Sequence, residues 1–182
     1  MMSELRDHVC AATLRNGLAV TIRALRPDDR EKMAKAIRQL DRESIYLRLF
    51  SYRTELTEAA LDRVMRFDPE REVALVVTLG AVPDETVIGA GRYIASGSEQ
   101  GERSAEVAFM VEEDYHGLGI AGRVLKHLAG IARAKGIAAF EADVLGGNKP
   151  MLRVFERSGL SMRKRHEGGT VHVTLSLRDG QT

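Results

Sequence analysis

A glycine-rich segment lies where a predicted strand meets a predicted helix. Gly117, Gly119 and Gly122, with the small Ala121 among them, follow a strand predicted over residues 104–111 and precede a helical pattern. Such a turn carries almost no side chains, so its backbone N–H groups can approach a phosphate closely, and the helix dipole points at the same place. The segment predicts a pyrophosphate site; a tight strand–helix turn without a ligand is the alternative.

The residues around this turn separate the phosphate-binding motifs that could use it. A P-loop ends in Gly-Lys-Ser/Thr, whereas Arg123 and Val124 follow Gly122, so a P-loop is excluded. Residues 117–122 do satisfy the Gly-x-Gly-x-x-Gly text of dinucleotide-binding domains. That fingerprint belongs after the first strand of repeated βαβ units. Predicted antiparallel strands precede the turn here, so a nicotinamide dehydrogenase is a distant alternative.

A carboxylate lies on the strand that leads into the turn. Glu106 falls within residues 104–111, and strand alternation places Ala108 and Met110 on the same face. A carboxylate beside a cofactor can act as a general base. From the residues alone, an ordinary exposed carboxylate at a strand edge is the more usual interpretation.

The composition indicates one globular domain in a reducing compartment. The chain has 182 residues, 44% of them hydrophobic and 29% charged, and 27 Lys+Arg against 26 Asp+Glu leave a net charge of +1. No apolar run approaches the roughly 20 residues of a membrane helix, and no secretory signal is visible. The one cysteine, Cys10, cannot form an internal disulfide, and no Cys/His cluster has zinc-ligand spacing. We therefore expect a cytoplasmic protein without a metal, a membrane or a nucleic-acid partner.

Hydrophobic periodicity and turn residues predict the element order β-α-α-β-β-β-α-β-α-β-β. Strands are predicted over residues 18–25, 72–79, 87–94, 104–111, 138–145, 161–167 and 170–177. Helices are predicted to begin near residues 27 and 57 and after the turn that ends at Gly122, and another covers residues 149–158. Residues 1–17 are expected to form a loosely ordered arm and residues 18–182 a single domain. The strand–helix–strand unit over residues 104–145 should be parallel and right-handed, and the short loops before it favour antiparallel neighbours.

Several motifs together resemble the GNAT superfamily of acetyl-CoA-dependent N-acyltransferases. His116-Gly117-Leu118-Gly119-Ile120-Ala121 resembles the family's Gln/Arg-x-x-Gly-x-Gly/Ala motif, with His116 in place of Gln or Arg. Residues 21–29 resemble its first strand and helix entry, Asn148 follows the fifth strand as in many members, and residues 155–160 resemble its helix-end segment. The resemblance implies a mixed α/β (α+β) fold. Its sheet is mostly antiparallel, with about seven strands and a central parallel β-α-β unit, is splayed at the cofactor site and carries helices on both faces.

The resemblance also implies which residues carry the reaction. Glu106 corresponds to the catalytic glutamate, which takes a proton from the attacking amine directly or through a water. A bulge in its strand would free main-chain groups: the N–H of Met110 for the oxyanion, and the groups at Met110, Val111 and Glu112 for the pantetheine. The expected cosubstrate is acetyl-CoA, with no metal. The remaining cofactor-binding residues are expected to be His116, Gly117, Leu118, Gly119, Ile120, Ala121, Gly122 and Asn148.

Two segments narrow the resemblance to one branch of the superfamily. Residues 41–51 and 105–109 look like the corresponding parts of bacterial protein-lysine acetyltransferases that modify acyl-CoA synthetases. The implied acceptor is a primary amine, most directly a protein lysine, for example on an acyl-CoA synthetase. A small-molecule amine or a protein N-terminus is the alternative acceptor, and a catalytically weak CoA-binding sensor is the second alternative. A homodimer, formed through the final strand, is a further expectation.

The general acid is the role for which the sequence departs from the family. Phe155 stands where many members carry a tyrosine, and it has no hydroxyl. Either the CoA thiolate leaves unaided, or Tyr115 or Ser158 assists. Cations on two predicted helices are candidates for the ribose 3′-phosphate, and each also fits an ordinary solvated helix face. They are Arg123, Lys126, Lys149 and Arg153.

Overall fold

The computed structural model describes residues 7–40, 58–66, 68–97 and 102–178, which form one sheet with helices on both faces. The strands are β1 (Val9–Thr13), β2 (Ala19–Ala24), β3 (Glu72–Leu79), β4 (Thr86–Ser96), β5 (Arg103–Val111), β6 (Ile137–Leu145), β7 (Met162–Glu167) and β8 (Thr170–Ser176). The helices are α1 (Arg30–Arg38), α2 (Glu58–Met65), α3 (Ile120–Ala134) and α4 (Lys149–Glu156), with 3₁₀ turns at Pro27–Asp29 and Glu113–Tyr115. Residues 41–51, which carry part of the family resemblance, lie outside the described residues.

The sheet has eight strands in the order β1-β2-β3-β4-β5-β6-β8-β7. Within the described ranges, β5 and β6 are the one parallel pair, and the other neighbours are antiparallel. This arrangement confirms the predicted mostly antiparallel sheet with a central strand–helix–strand unit. The prediction for residues 72–79 matches β3 at both ends, because that strand is buried along most of its length.

The eighth strand is β1, and the expectation of a loosely ordered arm is wrong for Val9–Thr13. This segment pairs with β2 along its whole length, from Val9 opposite Arg23 to Thr13 opposite Ala19. None of its five side chains is fully buried. Main-chain pairing rather than side-chain burial holds the strand, and a hydrophobic pattern carries no signal for such a strand.

The central strands β5 and β6 run together over a few residues and then separate. Their pairing ends where Glu106 lies opposite Glu141. Beyond that point β5 stays with β4 as far as Val111, while β6 stays with β8 as far as Leu145. The two strands therefore leave a wedge-shaped gap between them, which is the predicted splay of the sheet.

The bulges lie in the strands on either side of β5, whereas the resemblance implied a bulge in β5 itself. β5 keeps an unbroken register with β4. One register shift falls at Ile88 of β4, where the pairing with β3 skips a residue. Another falls at Ala138 of β6, before the gap begins. The expected bulge in β5 is therefore wrong, and the gap arises because β5 and β6 pair with different neighbours.

The two faces of the sheet carry separate hydrophobic cores. α3 and α4 pack on one face over the larger core, and α1 and α2 pack on the other face. Alternation along β5 sends Phe109 into the α3 core, whereas Met110 contacts the core beneath α1 and α2. Glu106 is on the same side of its strand as Met110, so it faces the α1–α2 side of the sheet.

A buried ionic cluster joins β2 to the turn before α1 and to the β3–β4 loop. Arg23, 2% exposed, donates from Nη1 and Nη2 to the two carboxylate oxygens of Asp29 at 2.8 and 2.7 Å. Its Nη2 also donates to Glu85 Oε1 at 2.6 Å, and Lys32 Nζ donates to that oxygen at 3.1 Å. Burial alone would raise the pKa of Glu85, but the hydrogen bonds from Arg23 and Lys32 outweigh it and lower that pKa to about 2.

Replacing Glu85 with Gln is expected to reduce the free energy of unfolding by about 3 kcal/mol at pH 7, because Arg23 and Lys32 lose a buried counter-charge. The depressed pKa of Glu85 in the folded state means that its contribution is present above the ordinary pKa of 4.5. That contribution is lost as the pH falls toward 2. Urea unfolding between pH 7 and pH 2 measures both effects, and Glu85→Gln should show the flatter pH dependence.

The matched control is Glu156→Gln, which removes a carboxylate from an exposed ion pair with Lys164 on the opposite side of the fold. Because exposed pairs contribute little to stability, this variant should unfold almost as the wild type does. Equal stability of Glu85→Gln and the wild type at pH 7 would show that the cluster does not tie these elements together.

Candidate active site

Two glycines give the turn between β5 and α3 its shape. Gly117 and Gly119 have φ of +73° and +88°, a region that residues with a Cβ rarely adopt. Gly119 is the N-cap of α3, so the first N–H groups of the helix have no intrahelical partner. A Cβ placed at Gly117 or Gly122 would meet no described atom within 4 Å. Free amides, a helix N-terminus and open space together suit a diphosphate group.

Glycines on β4 let α3 lie close enough to the sheet to place that turn. A Cβ at Gly89 would lie 2.8 Å from Ile120 Cγ2, and a Cβ at Gly91 would lie 2.5 Å from Val124 Cγ1. Both contacts are shorter than real Cβ atoms show, so the side chains of α3 occupy the space above the two glycines. The first turn of α3 is therefore held against β4, next to the end of β5.

The β4–β5 ladder decides which main-chain groups face the gap. Glu112 donates its N–H to Ile88 O at 3.0 Å, so its main chain points toward β4. Main-chain groups alternate sides along a strand, and Met110, which lies opposite Ala90, points the same way. This geometry does not favour the predicted oxyanion donor, the N–H of Met110. The main-chain groups of Val111 face the gap instead.

The ring of His116 is turned toward the end of β5. Its Nε2 donates to the carbonyl oxygen of Val111 at 2.9 Å, and its Nδ1 lies 4.0 Å from Glu113 Oε2. The bond to Val111 closes the loop between β5 and α3. In this structure the ring thus contacts the protein's own main chain, and its contact with a diphosphate stays a prediction.

Glu106 lies at the point where the gap begins. It is the last residue of β5 that pairs with β6, and its partner there is Glu141. Its side chain is exposed, and Ala108 and Met110 follow it along the same face, as the alternation predicted. A carboxylate at this place is open to a substrate that approaches from the α1–α2 side of the sheet.

Glu112 provides a second, half-buried carboxylate near the end of β5. Burial first, and then the negative charge of Asp114, raise the pKa of Glu112 above its ordinary value, whereas Lys35 on α1 acts to lower it. The sequence predicted a cofactor contact through the main chain of Glu112. In the structure the N–H of Glu112 is hydrogen-bonded to Ile88 O of β4, and its side chain lies near Lys35 on α1.

The residues expected around the leaving group have structural partners. Asn148 caps α4, since its Oδ1 accepts a hydrogen bond from Met151 N at 3.3 Å. Phe155 is 1% exposed within the core under α3 and α4, and Tyr115 packs half-buried against the same core. Ser158 Oγ donates to Phe155 O at 2.6 Å. These contacts give Tyr115 and Ser158 structural roles and add no support for either as a general acid.

The cations predicted for the ribose 3′-phosphate lie on two different helices. Arg123 and Lys126 lie on α3 and line a groove against β1 and β2. Arg123 Nη2 donates to Thr13 O at 2.5 Å and so fastens β1 to the helix. Lys149 and Arg153 are exposed on α4. The two pairs therefore occupy separate surfaces.

Two contacts near the gap have no signal in the sequence. Arg15, in the turn between β1 and β2, donates from Nη1 to Gly117 O at 3.2 Å. His172 Nδ1 lies 2.7 Å from Asp143 Oδ1 across the β6–β8 pair. The partners stand 102 and 29 residues apart in the chain, so spacing alone could not have joined them.

Over residues 7–40, 58–66, 68–97 and 102–178, no three His, Cys, Asp or Glu side chains come together in a group that could hold a metal ion. In those ranges no helix has the length and apolar character needed to cross a bilayer.

The splayed sheet, open turn and carboxylate together define a CoA-dependent acyltransferase. The turn suits a diphosphate, the separation of β5 from β6 suits an extended pantetheine arm, and Glu106 is an exposed carboxylate where that separation begins. A sequence model described as "Acetyltransferase (GNAT) domain" matches residues 19–161. The chain therefore belongs to the GNAT acetyltransferase family, and the resemblance seen in the sequence is confirmed.

Individual relatives agree with this assignment. The chain is 30% identical over 139 residues to Acetyltransferase PA5475 of Pseudomonas aeruginosa, a match that covers 76% of this chain and 73% of that protein. It is 31% identical over 146 residues to Acetyltransferase Pat of Mycolicibacterium smegmatis, covering 80% of this chain and 42% of Pat. The GNAT domain of S. lividans PAT has a TM-score of 0.83 and 30% identity, covering 92% of this chain and 96% of that domain. The activity class is thus that of an acetyl-CoA-dependent N-acetyltransferase.

Replacing Gly91 with Ala is expected to destabilise the protein by about 2 kcal/mol, because the new Cβ would lie 2.5 Å from Val124 Cγ1 and 2.9 Å from Phe109 Cδ1. Gly130→Ala is the control, since a Cβ there meets no described atom within 4 Å and a helix-interior alanine should add about 1 kcal/mol. Thermal unfolding of both variants measures the difference. A Gly91→Ala protein as stable as the wild type would mean that α3 does not depend on this close approach.

Proposed function

We propose that this chain acetylates the side-chain amines of protein lysines, with Glu106 as the general base. The observation that carries the proposal is the position of Glu106 at the opening of the gap between β5 and β6. The carboxylate is exposed on the side of the sheet that the strand separation leaves accessible. The similarity to Pat and to the GNAT domain of PAT supports a Pat-like substrate class.

The main chain between β5 and α3 would hold the cofactor. The amides of residues 118–122, at the N-terminus of α3, suit the diphosphate, and the N–H of Val111 suits a carbonyl oxygen of the pantetheine arm. Acetyl-CoA supplies an acetyl group activated as a thioester. The tight packing of α3 on Gly89 and Gly91 keeps the amides in place, so no side chain needs to reorganise around the diphosphate.

In this proposal Glu106 is the base that accepts a proton from the attacking amine. A lysine amine has a pKa of about 10.4 and is almost wholly protonated at neutral pH, so it must lose a proton before it can attack a carbonyl carbon. Glu106 takes that proton, directly or through a water, and the neutral nitrogen then forms its bond to the acetyl carbon. The nitrogen's second proton passes to the departing thiolate or to solvent as the tetrahedral intermediate collapses. The carbon–sulfur bond then breaks and CoA leaves as a thiolate. Because a comparable thiol has a pKa of about 8.5, the thiolate can leave without an acid. This agrees with Phe155, which stands at the position of the family's tyrosine, has no hydroxyl and is buried.

Carboxylates lie beside Glu106 on the face of the sheet from which an acceptor amine would approach. On β6, Glu141 lies opposite Glu106, and Asp143 follows on the same face one alternation further along. Glu72 lies in the same cross-strand row as Glu106, separated from it by Ile94 of β4. A lysine side chain that reaches Glu106 would also meet the neighbouring carboxylate of Glu141, while Arg92, opposite Ala108 on β4, adds a positive charge to the same face.

Replacing Glu106 with Gln is expected to lower kcat by about 10²–10⁴-fold while leaving the Kd for CoA unchanged, because only the proton acceptor is lost. Steady-state kinetics with a lysine peptide and calorimetric titration with CoA measure the two quantities. Glu72→Gln is the control, since it removes a carboxylate from the same row at a distance from the gap. Retained kcat in Glu106→Gln would exclude Glu106 as the base.

The acceptor is tested with matched amines. Thiol release from acetyl-CoA is expected with a lysine peptide whose N-terminus is blocked, and with a folded acyl-CoA synthetase. It should disappear when the lysine is replaced by arginine, and mass spectrometry should place the acetyl group on the lysine Nζ. Turnover with the arginine peptide carrying a free N-terminus, or with a polyamine alone, would contradict the lysine assignment and favour the corresponding amine.

A further inference from the structure

Arg15 places a positive charge beside the glycine-rich turn from an unrelated part of the chain. It lies between β1 and β2, is exposed, and donates from Nη1 to Gly117 O at 3.2 Å. Its Nε lies 3.6 Å from the position that a Cβ would take at Gly119. The guanidinium therefore borders the same space as the N-terminus of α3.

The β1–β2 hairpin is held against α3 by main-chain contacts as well. Arg15 N donates to Leu118 O at 3.4 Å, and Arg123 on α3 donates from Nη2 to Thr13 O at 2.5 Å. The turn itself is closed by Leu14 N to Leu18 O at 2.9 Å. The turn that carries Arg15 is thus hydrogen-bonded to the segment before α3 and to α3 itself. These bonds hold the Arg15 side chain beside the glycine-rich turn.

The charge of Arg15 matters because Arg123, a cation in the first turn of α3, already donates to Thr13 O. The residues before the turn, Glu112, Glu113 and Asp114, are all acidic. The ring of His116, at the motif position that holds Gln or Arg in the family, is bonded to Val111 O. The first helical residues after Gly119 are uncharged. A diphosphate at this turn would meet the amide dipoles of the helix N-terminus and the negative charges that precede the turn in the chain.

We propose that Arg15 is a binding residue for the diphosphate of CoA and supplies from the β1–β2 turn the cation that His116 does not provide. A guanidinium has five N–H donors in a planar fork, and one of them is used by Gly117 O, so others remain for phosphate oxygens. Charge-assisted hydrogen bonds of this kind are the stronger class. The inference rests on the proposed function of the turn as the CoA site.

The test uses two variants that separate charge from hydrogen bonding. Arg15→Ala removes both the charge and the bond to Gly117 O. Arg15→Gln keeps an amide donor on a shorter side chain but removes the charge. Calorimetric titration of the full chain with CoA is expected to give a Kd about tenfold higher for both variants, with a weaker dependence on salt than in the wild type.

Two controls identify the group that Arg15 contacts. Arg165→Ala removes an exposed arginine from β7, where it lies 3.7 Å from Glu167, and it should leave the Kd unchanged although the net charge changes equally. Dephospho-CoA retains the diphosphate and lacks the 3′-phosphate. The penalty of the Arg15 variants should be the same for CoA and dephospho-CoA.

Each other outcome overturns the inference. A wild-type Kd in Arg15→Gln, with a weakened Arg15→Ala, would make Arg15 a clamp on the main chain of the turn. A penalty that vanishes with dephospho-CoA would move the contact to the 3′-phosphate. Unchanged binding in both variants would remove Arg15 from the site while leaving the proposed function intact. If the wild type itself bound no CoA, the proposed function would fail, and the assignment of Arg15 with it.

Discussion

The separation of β5 from β6 is the constraint on which the rest of the site depends. Their parallel pairing stops at Glu106 and Glu141, because β5 continues with β4 while β6 continues with β8. The sheet stays continuous behind this point, so the gap opens at one end only. Glu106 stands where it begins, the main chain of Val111 borders it, and the turn into α3 closes it. The roles proposed for these residues in catalysis depend on their positions around that opening.

The position of α3 is set by the absence of side chains on β4. Gly89 and Gly91 let Ile120 and Val124 sit directly on the strand, and this close packing brings the helix N-terminus to the end of β5. A helix held one side chain further away would carry its free amides away from the gap. Glycine has a low propensity for strands, so these two residues would be expected to weaken β4. Here they allow the close packing that places the turn proposed to bind the diphosphate.

The β1–β2 hairpin links the stability of the fold to the chemistry of the site. On β2, Arg23 is buried with Asp29 and Glu85 and ties the hairpin to the helices of one face. At the turn of the same hairpin, Arg15 reaches over the glycine-rich segment on the other face. β1 adds main-chain pairing without buried side chains, and Arg123 bonds to its last residue. The strand β1, which has no hydrophobic pattern in the sequence, thus supports the turn that carries Arg15, the residue proposed to contact the diphosphate of CoA.

Local patterns alone determined most of the elements after β1 and their exposed faces. The glycines at 117 and 119, the strand over 72–79 and the side of β5 that bears Glu106 follow from turn chemistry and alternation, which act over a few neighbouring residues. Tertiary structure decided which neighbour each strand pairs with. It therefore decided that the bulges lie in β4 and β6, that the main-chain groups of Met110 point toward β4, and that residues 9–13 form the strand β1. It also turned the ring of His116 to Val111 and brought Arg15 to Gly117. Strand partners and ladder registers depend on contacts between distant residues, and the periodicity of one segment does not carry that information.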